Sequence, residues 1–160
     1  MAELKDIIAY ILQEYPYKAE LSNARVTKMV YLSDWKHSLD NGTQLSPITW
    51  YFDNYGPFVW DVKNVAEADP ALFRVEKGRT PSGGEKVTLS LARSYRSNLT
   101  PPERKAIDHV IKTTQDLSFL KFLNLVYATY PVRVTERYQV LNLPELAASY
   151  RASGLYKPGE

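Results

Sequence analysis

The chain offers few groups that could perform covalent chemistry. Its only imidazoles are His37 and His109, and among its 160 residues there is no cysteine. An imidazole beside a carboxylate can act as a general acid–base pair, so His37 with Asp34 is the combination a small hydrolase or transferase would use. At helical spacing, however, His37 shares a face with Val26, Met29 and Val30, the setting of a hydrogen-bonded core histidine. His109 adjoins Asp108 on the solvated side of its helix. Two histidines without cysteine do not make the three or four nitrogen or sulfur ligands that zinc prefers, so no metal site is expected. Asp34 could face a cleft with Lys28 or Tyr55, although an inward ion pair or cap is the more ordinary role. The Arg79–Gly84 loop is glycine-rich, but it lacks the Gly-Lys-Ser/Thr ending of a phosphate-binding loop and leads into a strand. It reads as a mobile hairpin tip, and no cofactor is expected. Arg93, Arg96, Arg104 and Lys105 form a modest basic cluster whose default is a solvated face. This inventory points to a packed scaffold with a recognition surface, not to an enzyme.

The elements that must position these residues follow from periodicity. Leu4, Ile7, Ile8, Ile11, Leu12 and Tyr15 recur at steps of three and four, predicting a helix over Glu3–Tyr15 that Pro16 ends. A second helix starts near Ser22 or Asn23 and stops at Asn41-Gly42, where glycine takes the left-handed conformation. Its two apolar faces, Val26/Met29/Val30/His37 and Leu32/Trp35/Leu39, predict packing on both sides and a central position. Thr27, Asp34 and Ser38 make its polar strip, with Tyr31 at the margin. Pro47–Asp53 reads as a short strand, and Phe58–Ala68 as a third helix with Pro57 in its first turn. Leu72–Lys77 and Glu85–Leu91 read as a hairpin. Thr100-Pro101-Pro102-Glu103 is a capping box opening a fourth helix whose apolar arc runs from Ala106 to Leu117. The fifth helix, from Ser118, is apolar over more than half its circumference and is expected in the core, with Pro131 as its stop. Pro144 opens a last short helix through Arg151.

Length and composition bound the answer. A chain of this size is one ordinary domain, able to bury roughly 70% of its unfolded surface. Hydrophobic residues at 44% and charged residues at 24% are globular values. No apolar run approaches the ~20 residues of a membrane span. MAELKDIIAY reads as an amphipathic helix and not as a signal peptide, and the lack of cysteine fits a reducing cytosol. A net charge of +2 supports no strong nonspecific affinity for nucleic acid. The expected architecture is α+β and predominantly helical, one domain over residues 1–156 with a frayed tail at 157–160. In it about five helices surround the central one, and a β-hairpin lies at one edge.

Aromatic residues are the compositional outlier, with twelve tyrosines and three tryptophans. Trp35, Trp50, Tyr51, Phe52, Tyr55, Phe58 and Trp60 crowd into a short stretch and exceed what one small core needs. Some are expected to anchor a partner.

The order of these features resembles the Panacea domain, the SocA-like antitoxin domain. The residues that carry the likeness are Lys28-Met29-Val30-Tyr31-Leu32, Asp34-Trp35, Gly42, the aromatic segment and Tyr55-Gly56-Pro57. Leu125-Val126-Tyr127-Ala128-Thr129-Tyr130-Pro131 is similar to the family's C-terminal helix ending. The likeness covers residues 24–60 and extends to about 131, but is not readable in the Phe73–Ser97 hairpin. The Trp50-Tyr51-Phe52 triplet and Asp53-Asn54 before the turn depart from the family pattern. The resemblance implies a cytoplasmic bacterial or phage antitoxin that neutralises a cognate protein toxin by direct binding. Toxins of such families include nucleotide-pyrophosphate synthetase-like ones, and one member delivers its toxin to a protease as an adaptor. The expected partner-binding residues are Tyr31, Trp35, Trp50, Tyr51, Tyr55 and Trp60. Lys28, Asp34, Gly42, Gly56 and Pro57 are expected to hold the motif's structure. Self-association is left open. The competing reading is a DNA-binding autoregulator built on Arg93, Arg96 and Arg104, which the acidic Glu103, Asp108 and Asp116 oppose.

Overall fold

The computed structural model describes residues 1–158; half of the expected frayed tail, residues 159 and 160, lies outside them. Seven α-helices and five strands alternate through them: α1 (Leu4–Glu14), α2 (Asn23–Asn41), β1 (Trp50–Asp53), β2 (Gly56–Pro57), α3 (Asp61–Ala68), β3 (Phe73–Arg79), β4 (Glu85–Leu91), α4 (Pro101–Thr114), α5 (Phe119–Tyr127), α6 (Tyr130–Val134), β5 (Val140–Leu141) and α7 (Leu143–Ala152). The fold is α+β and predominantly helical, and α2 is its axis. From Arg25 to Leu39 every residue of α2 is buried. It packs against α1, α3, α4, α5, α7 and β4.

This complete burial includes the polar strip. Thr27, Asp34 and Ser38 are all 0% exposed. They are tolerated because each finds a partner. Ser33 and Ser38 hydroxyls donate to the carbonyls one turn back, of Met29 and Asp34, and Thr27 bonds Asn23. A buried polar group that is hydrogen-bonded escapes the desolvation cost it would otherwise incur.

The ends of α2 follow local rules. The Ser22 hydroxyl accepts the Arg25 N–H, and Gly42 closes the helix at φ +79° with its N–H on the Ser38 carbonyl. The capping box opening α4 forms reciprocally between Thr100 and Glu103.

Two small antiparallel sheets complete the fold. β1 lies between β2 and β5, pairing Phe52 with Pro57 and Trp50 with Leu141, while β3 and β4 form a separate ribbon. The ribbon is the expected hairpin. Gly56-Pro57 belongs to β2 rather than to the start of a helix, so α3 begins only at Asp61. The physical reason is that Asn54 and Tyr55 make a two-residue turn, which folds Gly56-Pro57 back onto β1. Pro131 likewise does not stop α5, which already ends at Tyr127. It sits in the first turn of α6, where a missing N–H is no loss.

Candidate functional site

Two buried charges on α2 organise the motif region. The Asp34 carboxylate accepts the backbone N–H groups of Leu45 (2.9 Å) and Ser46 (2.8 Å), the Ser46 hydroxyl (2.5 Å) and the Trp50 indole N–H (2.7 Å). It therefore pins the return from α2 into β1. Burial still outweighs these donors and pushes its carboxyl up to about 6. His37 serves the same segment, its Nδ1 lying 2.6 Å from the Thr43 carbonyl. Both groups of the imagined acid–base pair are thus engaged in holding one loop.

Nearly two turns before Asp34, Lys28 is only 2% exposed. Its ammonium donates to the Pro57 carbonyl (3.2 Å) and lies 5.7 Å above the Phe58 ring. Desolvation lowers it to about 8, against the favourable charge of Asp53. Gly56 has φ +91°, and a Cβ there would stand 3.2 Å from Tyr127 Cε1. Glycine is thus required twice over, by conformation and by the ring of α5 against it. Lys28, Gly56 and Pro57 converge on the β1–β2 turn, whereas Asp34 and Gly42 act on the loop before β1.

The aromatic set divides. Tyr31 and Trp50 are 0% exposed and meet edge to face at 5.5 Å, with the Tyr31 hydroxyl 2.8 Å from Thr129 Oγ1. Trp35, 7% exposed, stacks on Tyr130 at 6.4 Å and leans on Tyr150. These three are core residues, which corrects their assignment to a contact surface: their apolar area is already covered by the chain itself. Tyr51, Tyr55 and Trp60 do face outward, at 36%, 79% and 59% exposure. Tyr51 sits across from Val140 on the open face of the three-stranded sheet. Tyr55 caps the β1–β2 turn, and Trp60 precedes α3.

The expected burial of α5 is also corrected. Only Phe122 and Val126 are buried, while Phe119, Leu120 and Leu125 lie at the surface. Nothing in a hydrophobicity pattern distinguishes a helix covered by its own chain from one covered by a partner. Gly56 packs on Tyr127 at the end of α5, and Phe58 and Trp60 share a groove wall with Phe119 at its start. The segment from Gly56 to Trp60 therefore meets α5 near both ends of the helix.

A family model described as "Antitoxin SocA-like, Panacea domain" matches residues 26–131, about two thirds of the chain. The protein belongs to the SocA-like Panacea family. No curated protein and no solved structure matches it. The matched span of this Panacea protein contains α2 from Val26 onward, the pinned loop, the β1–β2 turn, the hairpin, α4 and all of α5. The Asp34 hub, the Lys28 bond to the turn and the exposed α5 face therefore all lie inside the family region, while α1 and α7 lie outside it.

Other groups of the protein are placed in ways the sequence did not disclose. Arg25, 2% exposed, donates through Nη2 to the Thr114 and Leu117 carbonyls at the end of α4 and lies 4.6 Å over the Phe122 ring. A cation amid the apolar positions of a helix gives no warning that it will cap a neighbouring helix. The basic residues offered for DNA do not line a helix face. Arg104 is tied to the Leu99 carbonyl, and Arg93 lies over Tyr95 in the segment after β4. Among the described residues no group of three or more histidines and carboxylates could hold a metal ion, and no helix is long and apolar enough to cross a membrane.

Proposed function

We propose that this Panacea protein is an antitoxin that silences a cognate toxin by direct contact, with α5 and the adjoining Tyr55–Trp60 segment as the contact surface. The observation that carries the reading is the set of exposed apolar side chains on α5: Phe119 is 44% exposed, Leu120 68% and Leu125 38%. A helix whose sequence demands burial, left uncovered by its own fold, is an interface waiting for its other half. Trp60 and Tyr55 add the large rings that dominate binding energy in protein interfaces. Tyr51, beside Val140 and Tyr138 on the sheet, extends the aromatic surface. A standard interface buries ~800 Å² per partner, which a molecule of this size can supply. The buried charges beneath serve this role by fixing the turn that carries Tyr55. Membership of an antitoxin family supports the same reading.

The test is rescue of bacterial growth. The toxin encoded beside this gene is expressed with wild-type protein or with Leu120→Glu or Leu125→Glu. Because both side chains are exposed, each variant should keep its helical circular dichroism and melting temperature. Rescue should fail, since a buried carboxylate without a partner weakens binding by at least about tenfold. Full rescue by both folded variants refutes α5 as the contact surface.

A further inference from the structure

A groove of ≈ 660 Å³ opens at the N-terminal end of α2, where that helix faces the hairpin and α3. Its chemistry is unlike the rest of the surface. One wall is aromatic: Trp60, 59% exposed, meets Phe58 edge to face at 5.0 Å and has the Lys63 ammonium 5.6 Å from its ring centre. Lys86 and Val87 of β4 and Phe119 of α5 also line the groove. The floor is the first turn of α2, Asn23 to Arg25, where the N–H groups of Asn23 and Ala24 precede the first intrahelical bond and point out of the helix end. Arg25 also lines this floor. Among the described residues its Nε is the single buried side-chain nitrogen or oxygen with no hydrogen-bond partner.

A helix N-terminus and two lysines, Lys63 at 3.3 Å from Glu67 and Lys86 at 3.1 Å from the Ala19 carbonyl, favour an anion. Beside them, the open indole asks for a planar ring. Two carboxylates share the groove. Glu20 is held by the Tyr15 hydroxyl (3.1 Å) and stands 3.9 Å from Arg25, so its charge is already answered, and Glu85 is exposed at the hairpin end. The volume falls within the range of small-ligand sites.

We propose that this groove binds a nucleoside phosphate, its base stacked on Trp60 and its phosphates set between Lys63, Lys86 and the first turn of α2. The Thr80–Gly84 tip stands over the groove through Thr80 and supplies its rim rather than a phosphate cradle, its own Thr80 hydroxyl being held by the Gly84 N–H. The groove shares Trp60 and Phe119 with the proposed toxin contact, and titration of the chain alone tests the ligand without that partner.

The test is calorimetric titration of the purified full chain with ADP, repeated with adenosine, pyrophosphate and a 5′-phosphorylated oligonucleotide. ADP should bind below millimolar concentration, with adenosine and pyrophosphate each weaker. Trp60→Ala should weaken ADP by roughly tenfold, the effect of losing a stacking platform. Lys63→Gln should weaken it and flatten its salt dependence. Trp60 and Lys63 lie outside the core, so both variants should keep the wild-type melting temperature, and Lys63→Gln reports the site even if Trp60→Ala does not fold. No heat of binding at several millimolar ADP overturns the proposal. So does affinity unchanged in both variants, or pyrophosphate binding as tightly as ADP. An oligonucleotide binding more tightly than ADP overturns the free nucleotide in favour of a nucleic-acid end.

Discussion

The Asp34 hub gives the sharpest test of how the fold is held. Asp34→Ala would remove the acceptor from four buried donors: two backbone N–H groups, the Ser46 hydroxyl and the Trp50 indole. Each buried donor left alone costs about 1–3 kcal/mol, so even with partial relief by water the loss is about 4–8 kcal/mol. That rivals the 5–15 kcal/mol by which a whole domain is stable. Asp34→Asn keeps one oxygen for the loop N–H groups but turns an amide NH2 toward the remaining donors. The serine can rotate to accept from it, whereas the indole can only donate, so about 2–4 kcal/mol is lost. Trp50→Phe removes one charge-assisted bond and costs least in hydrogen bonding, about 1.5–3 kcal/mol. Urea unfolding followed by far-ultraviolet circular dichroism ranks the three without relying on tryptophan emission. Acid dependence adds a second readout. Burial raises the Asp34 carboxyl from 3.8 to about 6. A carboxyl raised on folding binds its proton more readily in the folded state, so this contribution to stability is complete below pH 4 and disappears as pH climbs through 6. Between pH 5 and pH 7 wild type should lose roughly 1 kcal/mol from this group, and Asp34→Asn should lack that slope. An Asp34→Asn variant within about 0.5 kcal/mol of wild type at pH 7 would refute the hub.

Lys28 should reveal itself at the other end of the scale. Lowered from 10.5 to about 8 by burial, it is disfavoured as a cation in the folded state. Stability should therefore rise by roughly 2 kcal/mol between pH 7 and pH 9.5 as its proton leaves, a rise that Lys28→Met abolishes. The window closes near pH 10, where tyrosines raised by burial, Tyr31 among them, begin to favour the unfolded chain. Gly56→Ala combines a left-handed backbone with a methyl 3.2 Å from Tyr127 and should cost about 1–3 kcal/mol in urea unfolding. A loss under 0.5 kcal/mol would mean the turn adjusts freely.

What the sequence disclosed, and what it did not, follows a physical divide. Contacts close along the chain were legible: the Ser22 cap, the Gly42 stop, the Thr100–Glu103 box and the β3–β4 hairpin each depend on residues a few positions apart. The central place of α2 was legible from its two apolar faces. The partners of its polar strip were not legible, because Asp34 is matched by Ser46 and Trp50, a dozen or more residues on, and no periodicity marks such a pairing. The start of α3 was misplaced because Pro57 suits a helix's first turn as well as it suits an edge strand, and only the pairing with Phe52 decides. Of the aromatic contact set, Tyr51, Tyr55 and Trp60 reach the surface while Tyr31, Trp35 and Trp50 do not. A β-strand alternates its side chains, so Trp50 and Tyr51 could not both face one way, and that much was available from the sequence. The groove beside Trp60 was not, since it joins α2, α3, the hairpin and α5.

The positions of α2 and α5 belong together. The helix richer in polar residues is the buried axis, and the more apolar helix stands at the surface. If burial alone chose positions, the two would be exchanged, because apolar area removed from water yields about 25 cal/mol per Å². The arrangement is stable only because α2's polar groups hold defined partners: Asp34 the loop before β1, Lys28 the turn after it, Arg25 the end of α4. Directional bonds fix geometry in a way that apolar packing does not, so the loop and turn bearing Tyr51 and Tyr55 are held in place from within. Exposed apolar side chains on α5, free of such ties, are then left for a partner. The same reasoning separates two classes of variant: changes at Asp34 or Lys28 should lower stability and binding together, whereas changes at Leu120 should lower binding alone. Loss of stability in Leu120→Glu would show that α5 is covered by its own chain, and the inversion of the two helices would need another cause.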